Sequence, residues 1–123
     1  MRYLFLLAGL LCLGTLVVHA LMGGIETLNP AMASPLALEV RGTIMAVWHG
    51  MTLVFILSAI AFFWAFAADR GKSRAVGVLL GCFYVLFGGI FAVLSFLWFE
   101  DLTILPQWTL LAPIGIFALI ASI

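Results

Sequence analysis

The amino-acid sequence predicts an all-α integral membrane protein, an antiparallel four-helix bundle. Three observations carry that reading. Of the 123 residues, 67% are hydrophobic and only 8% are charged, against about 25% charged in ordinary soluble domains, so lipid must be the solvent for most of the chain. The mean hydropathy of +1.35 points the same way. The apolar residues also fall into four runs, and every charged residue lies in the stretches outside them. The formal net charge is zero, so no basic surface argues for nucleic acid.

The first run, Tyr3 to Met22, is long enough to cross a bilayer, since about 20 residues at 1.5 Å each span a hydrocarbon core of about 30 Å. Arg2 and the Val18-His19-Ala20 triplet imitate a secretion signal. The run is longer than the usual 7–15 residues (approximately) of a signal's apolar centre, so helix one is expected to be retained. Gly23-Gly24, Asn29-Pro30 and Ser34-Pro35 then predict a loop over 23–42 with a short interfacial helix inside it. Helix two is expected over 43–68, followed by the basic turn DRGKSR at 69–74.

Helix three, expected over 75–98, carries Gly77, Gly81 and Gly88 along one side. Small residues at this spacing let membrane helices approach closely. The acidic loop 99–105 leads to Pro106, a favoured first-turn residue, so helix four is expected over 106–123 with a kink at Pro113. Arg2, Arg70, Lys72 and Arg74 lie on one side of these spans and only Arg41 on the other. The positive-inside rule therefore predicts a bacterial inner-membrane protein with both termini cytoplasmic. Glu26, Glu39, Glu100 and Asp101 then face the periplasm.

Helix periodicity yields the candidate site. At about 100° per residue, Ala8, Cys12, Thr15, His19, Met22 and Glu26 project within an arc of roughly 80°. Met45, His49 and Thr52 share a face of helix two, which places His19 and His49 at similar depth near the periplasmic side. Intramembrane histidines are costly without partners. His19, His49 and Glu26 therefore form a candidate metal-ligand set, with Met22 and Met45 as soft additions suited to Cu(I). A transition metal or a haem iron held between the two imidazoles is one guest of such a pocket; a polar group of a partner is another. A proton-accepting pair is a third reading. The structural alternative is that both histidines simply fix how helices one and two dock.

Catalysis finds little support: Ser58 lies too deep in helix two to meet either histidine, and the catalytic set is empty. Cys12 and Cys82 show no CxxC spacing, so the cysteines carry no zinc or thioredoxin-like signature; their similar depths make them potential neighbours. No helix carries a central carboxylate of the kind proton-coupled transport uses. The motifs HALMGGIE, WHG and LPQW together resemble a loose group of small uncharacterised bacterial four-transmembrane-helix membrane proteins, a likeness that implies a four-helix fold and no known activity. The expected function is thus a binding or accessory membrane protein with a periplasm-facing His/Glu pocket. The alternatives are a homo-oligomeric transporter or channel, and a structural subunit of a larger membrane complex.

Overall fold

The computed structural model describes residues 1–123 and contains helices and connecting turns, with no strand. Helix α1 runs over Tyr3–Ala33, α2 over Leu38–Ala67, α3 over Arg70–Phe99 and α4 over Trp108–Ser122. The first three are long and apolar enough to cross a membrane; α4 is a shorter apolar helix. In space α1 packs against α2 and α4, and α3 packs against α2 and α4, so the four form a closed ring.

Each boundary has a local cause. Helix α1 does not stop at Gly23-Gly24. It widens into a π-helical stretch, His19–Leu28, whose i→i+5 bonds keep the backbone satisfied; the Asn29 amide donates to the Gly24 carbonyl in this way. Pro30 falls in the first turn of the α-helical segment Asn29–Ala33 that follows, where a missing N–H is tolerated. The connection to α2 is thus only residues 34–37, in place of the expected loop 23–42. Extended backbone at Ser34 and Ala37 on either side of Pro35 makes that break.

Helix α3 starts at Arg70 rather than 75 because Asp69 caps it, its carboxylate accepting the Lys72 amide at 3.2 Å. It ends at Glu100, which takes a left-handed conformation with φ of 54° and donates its amide to the Phe96 carbonyl. Ser95 then shapes the acidic turn. Its hydroxyl is fully buried, donates to the Asp101 carbonyl at 2.5 Å and accepts the Leu105 amide at 3.2 Å.

The interior is narrow. Phe5, Cys12, Phe55, Phe62, Tyr84 and Ile114 fill the axis, each at most 4% exposed. Outward faces are equally apolar: Leu79 is 72% exposed, Leu86 69% and Leu97 66%. Helices apolar on their outward as well as their inward faces have the composition of membrane spans. Four cations and one acid (Arg2, Arg70, Lys72, Arg74, Asp69) gather at one end of the ring. Four acids and one cation (Glu26, Glu39, Glu100, Asp101, Arg41) lie toward the other.

Small residues draw α3 and α4 together. Gly77, Gly81 and Gly88 are all buried on the α4-facing side of α3. A methyl group added to Gly81 would meet Leu119 Cγ at 2.7 Å, and one on Gly88 the Ala112 amide at 3.1 Å. From the opposite side, Gly115 of α4 comes so close that an added methyl would lie 2.6 Å from the Gly81 carbonyl oxygen. Backbone thus meets backbone across this seam, the close approach that small residues allow between apolar helices.

Candidate functional site around His19 and Trp48

The π-helical stretch begins at His19, and its extra residue per turn decides what faces inward. Up to Thr15 the sequence phase holds, with Ala8, Cys12 and Thr15 buried. His19 is half-buried against α2. One turn on, Gly23 rather than Met22 is the inward residue: the Trp48 ring edge lies 2.8 Å from where a methyl on Gly23 would sit. Met22 is 54% exposed and Glu26 is exposed too, so the expected stripe does not continue past His19.

His19 is held on three sides. Its ring stacks on Trp48 with centroids 4.1 Å apart and planes 19° from parallel. Phe55 meets it edge-on at 5.5 Å. Nε2 lies 3.2 Å from the Trp48 carbonyl oxygen, which also accepts the Thr52 hydroxyl at 3.2 Å. A carbonyl can only accept, so Nε2 carries the proton and Nδ1 keeps its lone pair.

His49 is placed differently from the expectation. The inward phase of α2 is set by Phe55, Ser58, Ala59, Phe62 and Ala65, and counting back by turns brings Trp48 to the interior. His49, one residue on, is rotated by about 100° to the outside. It is exposed, as is Met45, and makes no hydrogen bond within the chain. Its neighbours on that outward face are Met45, Leu53 and Ile56. His19 and His49 therefore do not share a face, and no three of the chain's His, Cys, Asp and Glu side chains gather in an arrangement able to hold a metal ion.

A second polar group joins Cys12, on the inward stripe of α1, to Tyr84, whose hydroxyl the sequence suggests as a hydrogen-bonding group across the bundle. Cys12 Sγ lies 3.3 Å from the Phe55 carbonyl and 3.2 Å from the Tyr84 hydroxyl. Because the carbonyl must accept, the thiol donates to Phe55 and the sulfur receives the Tyr84 proton. This chain of bonds links α3, α1 and α2 through the core, with buried Ser58 beside Tyr84. Cys82 is exposed, so the two cysteines are not neighbours: Gly81 and Tyr84 take the inward positions of α3 and turn Cys82 away. A periodicity count anchored on bulky aromatics instead of polar residues would have found Trp48, which the polar residues of α2 concealed.

Comparison with known protein families, with curated proteins and with solved structures gave no match.

Proposed function

We propose that this protein is a small, non-catalytic, multi-pass subunit of a bacterial inner membrane that docks a polar group of a membrane partner on the His49 face. In this reading the bundle is antiparallel, its basic end and both termini are cytoplasmic, and the end carrying His19, Glu26 and His49 is periplasmic. The observation that carries it is His49 itself. It lies about 12 Å deeper along α2 than Arg41, on an apolar outward face, and its own chain offers it no hydrogen bond. An ionisable side chain aimed out of a membrane bundle needs a partner. A carboxyl, hydroxyl or free carbonyl on a neighbouring membrane segment has the required chemistry. Docking is favoured over conduction because aromatic side chains fill the axis from Phe5 to Phe55. His19, by contrast, is occupied in fastening α1 to α2.

The test is native electrophoresis of membranes dissolved in mild detergent, comparing wild type with His49→Leu. The wild type is expected in an assembly larger than the monomer, and the variant as a folded monomer with unchanged melting. Identical migration of the two would sink the proposal.

A bound metal or haem is the second reading, resting on the Nδ1 of His19, which makes no hydrogen bond within the chain, and on His49, which is exposed and unbonded. Metal analysis and an optical spectrum test it directly: no metal and no Soret band would reject it.

A further inference from the structure

At the end of the ring where α1 begins and α2 and α4 finish, the helix ends part around a cavity of about 580 Å³. Phe5, Ser73 and Ser122 line its depth, and Arg2, Arg70 and Arg74 its rim. Two of these arginines are held in place by main-chain oxygens. Arg2 donates to the Ala68 carbonyl at 2.8 Å, with its guanidinium 6.0 Å from the Phe66 ring centre. Arg70 donates to the Ile123 main-chain oxygen, also at 2.8 Å. Arg74 makes no hydrogen bond or ion pair with the rest of the chain and is exposed.

Donors are therefore in excess here. Each guanidinium carries five N–H groups, and Arg2 and Arg70 each spend only one on the protein. The one acidic side chain of the cavity, Asp69, is already taken by the Lys72 amide and by Lys72 Nζ at 3.0 Å. The Ser73 hydroxyl is turned to the Ala65, Ala68 and Asp69 carbonyls. What remains is a concave site with three fixed or fixable forks of positive charge, no free acidic side chain, and the Ile123 oxygen already engaged by Arg70.

We propose that this mouth binds a phosphate-bearing anion, gripped by Arg2, Arg70 and Arg74. A carboxylate offers two coplanar oxygens with about four lone-pair sites and a single charge, so two paired guanidinium forks saturate it and the third is left without one. A phosphate group presents several oxygens in a tetrahedral array and accepts paired N–H forks from different directions. Basic pockets between membrane helices take anionic headgroups by the same chemistry, so a phospholipid headgroup and a soluble phosphate are the two sources.

The experiment uses the full chain in mild detergent, supplemented with phosphatidylcholine, with phosphatidylglycerol or with inorganic phosphate. Thermal melting and native mass spectra read the binding. Wild type is expected to bind phosphatidylglycerol or phosphate more tightly than phosphatidylcholine, with the preference weakening as salt rises. Arg74→Gln should lose about fivefold in affinity, and Arg74→Lys should recover part of that loss. Arg74 is the suitable position because its removal breaks no bond inside the chain. A gain with phosphatidylglycerol alone identifies the lipid as source, and a gain with inorganic phosphate alone identifies a soluble ligand. Equal binding of all three additives, or an Arg74→Gln variant indistinguishable from wild type, overturns the proposal.

Discussion

Replacing Gly115 by alanine tests whether the α3–α4 seam holds the bundle together by backbone contact. The new methyl group would lie 2.6 Å from the Gly81 carbonyl oxygen, 2.7 Å from Val85 Cγ2 and 2.7 Å from the Val85 amide nitrogen. Ordinary van der Waals contact begins near 3.4 Å, so the helices must part by up to about 0.8 Å. Two of the three obstructing atoms are main chain and cannot rotate aside. Overpacking of this kind costs about 1–3 kcal/mol, while the better helix propensity of alanine returns up to about 1 kcal/mol. Because the obstruction is rigid, a net loss of about 2 kcal/mol is expected. Gly89 supplies the internal control, since nothing lies within 4 Å of a methyl group added there. Gly89→Ala should be neutral or stabilising by up to about 1 kcal/mol. Unfolding of both variants in mixed micelles, followed by circular dichroism, measures the difference. If Gly115→Ala proves as stable as Gly89→Ala, the seam is not a close-packed contact and the reasoning fails.

Ser95→Ala removes the hydroxyl that joins Asp101 to Leu105 and leaves the Leu105 amide without that acceptor, so a loss of about 1–3 kcal/mol is expected; faster amide exchange at Leu105 is the local readout. Glu100→Gly relieves a left-handed backbone that costs a side-chain-bearing residue about 1 kcal/mol, and the melting temperature should rise slightly. A fall would show that the Glu100 side chain contributes more than its backbone loses. Asp101 accepts the Thr103 hydroxyl at 2.7 Å and the Thr103 amide at 2.8 Å, and these bonds hold its carboxyl below the ordinary aspartate value of 3.8. A lowered folded-state value means that its stabilisation is fully present above 3.8 and fades as pH falls through the folded-state value. Melting measured against pH should therefore decline more steeply on the acid side in wild type than in Asp101→Ala; parallel profiles would remove Asp101 from the account.

The helical architecture was legible because lipid leaves little freedom: backbone polar groups must be satisfied within the helix, so long uncharged runs can be little else. The inward phase of α1 was also readable as far as Thr15, where small and polar residues recur at helical spacing. Beyond His19 the extra residue per turn of the π-helix shifts the phase, and nothing in HALMGGIETL announces it; Gly23-Gly24 reads equally well as a stop. On α2 the polar residues misled. Met45, His49 and Thr52 share a face, but rings at Phe55 and Phe62 outweigh one imidazole in choosing which side is buried. Gly115 escaped notice for a different reason: a lone glycine beside Pro113 has no partner in its own helix, and its meaning lies in Gly81 on another.

The opposed charges at the two ends of the ring make the molecule a long dipole, and in the inner membrane proposed for it that dipole would feel a voltage. In the orientation proposed here, the net positive end rests on the electrically negative side. Inverting the bundle would drag three net positive charges outward and three net negative charges inward, against about 2.3 kcal/mol per charge for each 100 mV. That amounts to about 14 kcal/mol per 100 mV. An energised cell would thus hold this protein the right way up by its potential alone, and a chain inserted backwards would be under constant electrical pressure to correct itself.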